Sequence, residues 1–217
     1  RSGFFEPVSL SEDDLARNRM YEENAKRKQL QKSFEDYDEY LRSLEMKAEI
    51  KPFSPVYMSR IAQLTNKSNQ FNLTTKRYTQ SEIEKAAEDP GRITLYGKLT
   101  DRFGDNGVVS LVIGRIDGEN KDELHIELWL MSCRVLKRKM ENAMMDSLID
   151  CAGQRGVARI RGYYYPTAKN AMVKEFYGEM GFTKVSEDEK GNSVWENVIG
   201  ETPVKSQDVI EVNPSED

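Results

Sequence analysis

The sequence predicts an α+β protein in which a mixed sheet is flanked by helices. Segments with apolar residues at three- and four-residue spacing, which is typical of helices, surround segments that alternate or are rich in β-branched residues, which is typical of strands. The central strand-like segments follow one another through short turns, which favours antiparallel pairing, and helical segments then alternate with further strands. No internal repeat is present.

The first part of the chain is predicted to be helical as far as Leu44. Ser11 and Asp14 have the form of a capping box, and the composition after them is charged. The second half of this stretch carries one apolar stripe, formed by Leu30, Phe34, Tyr37, Leu41 and Leu44. A short strand is predicted over residues 46–53, and a second helix over residues 54–65.

The middle of the chain opens with another capping box, Thr79 with Glu82, and its helix stops before Pro90. Three strand-like segments follow, at residues 93–99, 108–116 and 124–135. The tripeptide Asp105-Asn106-Gly107 predicts a tight hairpin turn, because Asn-Gly tolerates positive φ. Asp101, Arg102 and Asp105 would then be either the rim of a site or the charged ends of this turn.

In the last part of the chain, segments with the apolar spacing of helices alternate with segments typical of strands. A helix is predicted over residues 140–152, a strand over 157–165, a helix over 167–180, and two strands over 182–185 and 194–198. From about residue 201 onward the chain is predicted to be a disordered acidic tail.

The composition excludes several classes of protein. The 217 residues include 32 basic and 37 acidic side chains, and the acidic excess falls in residues 186–217. The remaining residues lack the basic excess that is typical of a protein that binds nucleic acid. No apolar run is long enough for a membrane span. Cys133 and Cys151 are expected to be reduced thiols of a cytoplasmic protein. A single histidine, without paired cysteines or glutamates, leaves no credible metal site.

The order of elements resembles the GNAT acyltransferase fold. Asn170-Ala171, followed by Phe176-Tyr177 and the Gly181-Phe182 ending, resembles the final helix of that superfamily. Three longer blocks resemble the C-terminal half of FkbH-like proteins: residues 69–75 with Arg77-Tyr78, residues 101–107, and residues 129–135.

The resemblance implies a particular organisation and function. FkbH-like proteins join a haloacid-dehalogenase-superfamily phosphatase domain to a GNAT-like domain, and members load a phosphorylated three-carbon acid as a glyceryl thioester onto an acyl carrier protein. Residues 1–45 would be the end of the phosphatase domain, a linker and a helical arm, residues 46–200 the acyltransferase domain, and residues 201–217 the tail. The partners would be the carrier protein and the phosphatase domain of the same chain, although no Asp-x-Asp-x-Thr motif occurs here.

The junction after the third central strand is the first candidate site. GNAT enzymes carry an Arg/Gln-x-x-Gly-x-Gly/Ala loop there, which holds the pyrophosphate of coenzyme A at a helix N-terminus. Lys137 and Lys139 occupy its two glycine-type positions, which puts close backbone contact with acetyl-CoA in doubt. Coenzyme A or carrier-bound phosphopantetheine is the expected cofactor. The residues predicted to bind its phosphate or pantetheine are Arg134, Val135, Lys137, Arg138, Lys139 and Asn170. The alternative is a solvated basic turn balanced by Glu141 and Asp146.

Two residues are catalytic candidates. Cys133 could hold an acyl group as a thioester, because cationic neighbours favour the thiolate, and the alternative is a buried core cysteine. His125 cannot assist it, since eight residues of strand separate the two by roughly 26 Å. Tyr177 matches the tyrosine with which many GNAT enzymes protonate the leaving thiolate, and its alternative is packing.

The polar block is predicted to bind the acyl group. Its candidate residues are Asn69, Gln70, Asn72, Thr74, Thr75 and Arg77. Amide and hydroxyl groups would hold a small polyhydroxy or carboxylate group, and the arginine would read its charge. The alternative is a turn network that satisfies itself.

Three functions therefore stay open. The first is passage of a glyceryl-type acyl group through a thioester to a carrier protein's phosphopantetheine. The second is acetyl-CoA-dependent N-acetyltransfer to an amine. The third is a non-catalytic module that docks a carrier protein.

Overall fold

One eight-stranded sheet lies at the centre of this computed structural model, which describes residues 11–201 and 205–215. Its strands are β1 (Met46–Lys51), β2 (Arg92–Asp101), β3 (Gly104–Ile116), β4 (Glu123–Met131), β5 (Arg159–Tyr164), β6 (Thr183–Glu187), β7 (Ser193–Val198) and β8 (Ile210–Val212). The α-helices are α1 (Glu12–Gln31), α2 (Tyr37–Ser43), α3 (Met58–Lys67), α4 (Gln80–Glu88), α5 (Met140–Gln154) and α6 (Phe176–Glu179).

The strands lie in the order β6-β7-β5-β4-β3-β2-β1-β8. Strands β1 to β4 form an antiparallel series, β4 pairs with β5 in parallel, and β5 pairs with β7 antiparallel. The predicted mixed sheet with flanking helices is therefore confirmed. Alternate side chains of the central strands point to two buried layers: Val112 packs in the layer that contains α5, whereas Leu111 packs in the layer that contains α3 and α4.

The predicted N-terminal helical stretch is two helices rather than one. Residues 32–36 separate α1 from α2, and the carboxylate of Asp36 caps α2 by accepting a hydrogen bond from the amide of Glu39. The apolar stripe is buried only at its end, where Leu41 and Leu44 are fully covered, while Tyr37 stays 40% exposed. Asp36 explains why the two helices are separate, because an aspartate side chain stabilises the start of a helix better than its interior.

The first hairpin turns earlier than predicted. Its turn lies at Arg102-Phe103, between β2 and β3, and Asp105-Asn106-Gly107 belongs to β3. The Asp101 carboxylate accepts hydrogen bonds from the amides of Phe103 and Gly104 and thereby fixes the turn there. The prediction of a turn at 105–107 was wrong; the positive φ of Gly107 instead lies in a part of β3 where the pairing register with β2 shifts.

Two C-terminal predictions also differ from the structure. The helix expected over 167–180 is reduced to a 3₁₀ turn at Ala171–Val173 and the short α6. The expected disordered tail contributes β8, which lies parallel to β1, with Val209 and Ile210 buried. The side chain of Asn213 completes the contact, because it both donates to and accepts from the backbone of Ile50.

Candidate functional site

Strands β4 and β5 separate soon after they pair. Their parallel register covers only three residue pairs and ends at His125 opposite Arg161. A segment of the loop after α3, residues 71–74, lies in the opening so formed. The Leu73 amide donates to the carbonyl of Trp129, and the Leu73 carbonyl accepts from the amide of Tyr165, so the 71–74 segment bridges the two strand ends.

The 71–74 segment separates two clefts. At the Met131 end of β4 is a cleft of about 830 Å³, called here the cationic cleft. It is lined by Arg60, Leu64, Lys67, Ser68, Asn69, Gln70, Phe71, Met131, Ser132, Cys133, Arg134, Ala168 and Lys169. At the Ile126 end is a smaller cleft of about 160 Å³, called the histidine cleft. It is lined by Thr74, Lys76, Arg115, His125, Ile126, Glu127, Tyr163 and Tyr165.

Four cations and no acid are found among the described residues that line the cationic cleft. In residues 11–201 and 205–215, none of Arg60, Lys67, Arg134 and Lys169 forms an ion pair with a carboxylate. Burial, followed by the charge of Arg134, lowers the pKa of Arg60. Burial likewise lowers the pKa of Arg134. Charges that repel one another without a carboxylate between them favour a bound anion.

Cys133 lies exposed in this cleft, so the alternative of a buried core cysteine is wrong for it. It begins a 3₁₀ turn after β4, which is capped by the Ser132 hydroxyl, and its neighbour Arg134 lines the same cleft. The other thiol, Cys151, is half-buried on α5, and burial raises its pKa. The two thiols therefore have different surroundings.

The junction before α5 keeps the backbone shape of a glycine loop without glycine. Lys137 and Lys139 both have φ of 63°, in the left-handed region that favours glycine. Helix α2 covers this junction: Tyr37 Oη donates to the Lys137 carbonyl at 2.6 Å, and Lys139 Nζ lies 3.1 Å from an Asp38 carboxylate oxygen. The ammonium of Lys139 is therefore already partnered, whereas that of Lys137 is exposed.

Three other predicted phosphate ligands face inward. Arg138 is 8% exposed and lies 3.3 Å from Asp101, and Val135 is fully buried. Asn170 is also fully buried, and its side-chain amide donates to the carbonyls of Asn72 and Tyr165. Of the predicted phosphate set, the structure thus brings only Arg134 into the cationic cleft, and Lys137 stays exposed outside the lining.

The polar block is divided between the cleft and the interior. Asn69 and Gln70 line the cationic cleft. Asn72 and Thr74 are buried and bond to backbone, which agrees with the alternative of a turn network that satisfies itself. Thr75 is only partly buried, but its amide donates to the Asn72 side chain and its hydroxyl to the Thr74 carbonyl.

Arg77, the residue predicted to read the charge of the acyl group, bonds inside the same network. Its guanidinium donates to the carbonyls of Thr65 and Asn66 and to the side-chain oxygen of Asn69. It thereby positions Asn69 at the cleft but does not line the cleft itself.

Tyr177 does not reach either cleft. Its side chain is fully buried against Phe176 and Phe182, and burial raises its pKa. Gly162 of β5 makes room for it, since a Cβ there would lie 2.4 Å from the Tyr177 ring. This geometry corresponds to the packing alternative.

His125 lies in the histidine cleft, away from Cys133, as the spacing predicted. Its Nδ1 lies 2.6 Å from Tyr163 Oη, and the two rings are stacked. Its Nε2 lies 3.3 Å from a carboxylate oxygen of Asp117 and 3.3 Å from one of Glu123.

Sequence reasoning missed several functional candidates. Arg60, Lys67 and Lys169 come from separate segments, and no spacing along the chain relates them to Cys133. Tyr163 was seen only as a strand residue. It lies on β5 two residues beyond Arg161, where the pairing with β4 ends, and this position would have indicated it had the parallel register been known.

No helix in the described part of the chain is long and apolar enough to cross a membrane. Within the same residues, no group of three or more histidine, cysteine, aspartate or glutamate side chains is placed to hold a metal ion.

The fold is that of GNAT acetyltransferases. An acetyltransferase of the GNAT family from Streptococcus pneumoniae superposes with a TM-score of 0.57 at 16% identity, over 71% of this chain and 100% of that one. The ribosomal-protein-S18-alanine N-acetyltransferase of Escherichia coli gives 0.51 at 14% identity, over 70% and 94%. A putative acetyltransferase from Salmonella typhimurium, yncA, solved with its cofactor acetyl-CoA, gives 0.53 at 12% identity, over 73% and 96%. No protein-family model and no curated protein matches the sequence.

Proposed function

We propose that this chain is an acyltransferase domain that receives an acyl group from a phosphopantetheine thioester bound in the cationic cleft. The observation that carries the proposal is a set of four cations around an exposed thiol, none of which has a carboxylate partner among the described residues. Like-charged, partly buried arginines are costly unless an anion accompanies them. A phosphate is one of the anions that the forked donors of arginine bind through two parallel hydrogen bonds.

The residues fit such a cofactor in part. Arg60 and Arg134 would hold its phosphate, and Asn69 and Gln70 offer amide groups further along the cleft. The predicted site at the N-terminus of α5 fits less well, because Tyr37 and Asp38 of α2 already contact it. When bound, the cofactor supplies the acyl group as an activated thioester.

Cys133 is the residue best placed to accept that group. Its sulfur would form a new bond to the acyl carbon while the donor's carbon–sulfur bond breaks, so that one thioester replaces another. The proton that Cys133 loses balances the proton that the departing thiol gains. The bound phosphate and the arginines orient the donor for this exchange.

Two sources of phosphopantetheine are compatible with the cleft. The resemblance to FkbH-like proteins favours a carrier protein and a glyceryl-type acyl group. The likeness of fold to acetyltransferases favours coenzyme A, with direct N-acetyltransfer to an amine as the second candidate. The third candidate function is docking of a carrier protein without catalysis, and the exposed thiol is the one feature that argues against it.

Titration calorimetry with coenzyme A and with a holo carrier protein tests the site. Arg60→Gln and Arg134→Gln should each weaken binding by about tenfold or more, as expected for the loss of a charge-assisted hydrogen bond. Lys121→Gln, an exposed lysine outside both clefts, is the control. Unchanged affinity in the arginine variants would contradict the proposal. The ligand that binds more tightly identifies whether the phosphopantetheine comes from coenzyme A or from a carrier protein.

Intact-protein mass spectrometry tests the role of the thiol. After incubation with acyl-coenzyme A or acyl carrier protein, Cys151→Ser should carry the acyl adduct and Cys133→Ser should not. An adduct that persists in Cys133→Ser contradicts the role of Cys133. Transfer to an amine without any adduct would favour the N-acetyltransferase.

A further inference from the structure

The histidine cleft contains a hydrogen-bonded group that acyl transfer at Cys133 does not use. It lies roughly 16 Å along β4 from the cationic cleft, because five residue steps of a strand lead from Ile126 to Met131. The 71–74 segment lies between the two clefts. A ligand of the histidine cleft would therefore be separate from the phosphate group proposed above.

The surroundings of His125 fix where its protons lie. Nε2 lies 3.3 Å from a carboxylate oxygen of Asp117 and 3.3 Å from one of Glu123, and the negative charge of these groups favours the neutral ring that carries its proton on Nε2. In the neutral ring Nδ1 is then the acceptor, and the Tyr163 hydroxyl donates to it at 2.6 Å. Asp117 remains ionised, because the backbone amides of Asn120 and Glu119 lower its pKa.

Charged side chains surround the ring of His125. The carboxylates of Asp117 and Glu123 face Nε2, and Glu123 is also bound by Arg161 at 2.8 Å. Arg115 and Tyr163 are the other titratable groups that face the ring from the neighbouring strands. The hydrogen bond to Nδ1 therefore fixes the direction in which the Tyr163 hydroxyl donates and leaves its oxygen as an acceptor.

The same cleft carries positive charge. Lys76 lies at its edge, is exposed, and forms no ion pair with any residue in the described ranges. Arg115 uses its Nε to hold Glu127 at 3.1 Å, which leaves its terminal nitrogens available. Glu127 is itself shared with Arg92. A negatively charged group on a ligand would thus meet two cations.

We infer that the histidine cleft binds a small carboxylate that carries a neighbouring hydroxyl group. Lys76 and Arg115 hold the carboxylate, and Tyr163 accepts a hydrogen bond from the ligand hydroxyl. The proton of Tyr163 stays in its hydrogen bond to Nδ1 of His125, which leaves the tyrosine oxygen as the acceptor for the ligand hydroxyl. The volume of about 160 Å³ restricts the ligand to a few heavy atoms.

His125 is the only histidine of the chain, so its ring can be observed by ¹⁵N NMR without assignment. The neutral ring should be protonated at Nε2 and not at Nδ1. Glycolate, the probe, should bind about tenfold more tightly than acetate, because a site built around a hydroxyl disfavours the analogue that lacks it. Both titrations are followed by the His125 signals of the full chain.

Variants test separately the contact with the ligand hydroxyl and the contact with the ligand carboxylate. Tyr163→Phe should give glycolate and acetate equal affinity, whereas Tyr165→Phe, which alters the same cleft, should keep the preference. Lys76→Gln should weaken both ligands, and Lys121→Gln neither. A ring protonated at Nδ1, equal affinities in the unaltered chain, or a preference that persists in Tyr163→Phe would overturn the inference. None of these readings depends on coenzyme A or on Cys133.

Discussion

Arg27 in α1 binds Asp101 at the end of β2 through two hydrogen bonds, from Nε at 2.6 Å and from a terminal nitrogen at 2.8 Å. The carboxylate of Asp101 is fully buried, and a terminal nitrogen of Arg138 lies 3.3 Å from the same oxygen that accepts from Nε of Arg27. Through these contacts Asp101 connects helix α1, the β2–β3 hairpin and the junction before α5. It also explains why Arg138 faces away from solvent.

Asp101→Ala should lower the free energy of unfolding by about 3–5 kcal/mol, because it leaves two buried guanidinium groups without their carboxylate. Denaturation by urea measures the loss. Asp122→Ala, which removes only an exposed pair with Arg159 at 3.8 Å, should change stability by no more than about 0.5 kcal/mol. Equal effects of the two substitutions would contradict the importance of the buried cluster.

Lys137→Gly should stabilise the protein by up to about 1 kcal/mol. Its φ of 63° strains a side-chain-bearing residue, and glycine relieves that strain, although glycine also gains entropy in the unfolded chain. Lys139→Gly should gain less, since it also loses the contact with Asp38. Thermal unfolding compares both with Lys121→Gly, whose φ is not positive and which should be destabilised. A loss of stability in Lys137→Gly would refute the assignment of strain.

Glu141→Gln should stabilise the protein at neutral pH, by on the order of 1 kcal/mol. Burial, and then the charge of Glu179, raises the pKa of Glu141, and one of its oxygens is buried without a hydrogen-bond partner in the described part of the chain. A raised pKa means that the folded state binds more protons than the unfolded state, so stability falls as pH rises through the folded pKa.

The gain from Glu141→Gln should therefore disappear below the ordinary glutamate pKa, where both states are protonated. Urea denaturation at a series of pH values measures it. Glu22→Gln, at an exposed position of α1, provides the baseline. A gain that is the same at all pH values would not come from ionisation of Glu141.

Ile210→Ala should cost about 2–4 kcal/mol, as for other large-to-small changes in a core. Ile210 is 2% exposed and belongs to β8, which pairs with β1. Glu211→Ala, an exposed neighbour in the same strand, should be nearly neutral. If both substitutions were neutral in urea denaturation, β8 would contribute nothing to the stability of the sheet.

The order of the helices and strands could be predicted from the sequence, because apolar residues recur at different spacings in the two kinds of element. The alternating segments became β2 to β4, and the apolar face with Met144 and Leu148 became α5. Strand β8 was missed since three residues in an acidic region carry too little periodicity to be seen. The hairpin turn was misplaced because Asp101 is held by Arg27, a contact across 74 positions that local turn preferences do not include.

The candidate site was only partly predictable for the same reason. Cys133 and Arg134 are adjacent in sequence and lie together in the cationic cleft. The direction in which a side chain points depends on its partners, and so Arg138 and Asn170, which looked like ligands, instead form buried contacts. Arg60 reaches the cleft through the packing of α3 on the sheet, which no motif records.

The 71–74 segment has a consequence for how any donor is recognised. It uses the backbone of β4 itself: the Trp129 carbonyl accepts from Leu73, the Met131 amide donates to Phe71, and the Glu127 carbonyl accepts from Thr74. A ligand therefore cannot be held there by strand-like backbone bonds, and the charges of the cationic cleft must provide most of the attraction. Attraction between partly exposed charges is screened by mobile ions, so affinity for the donor should fall steeply as ionic strength rises.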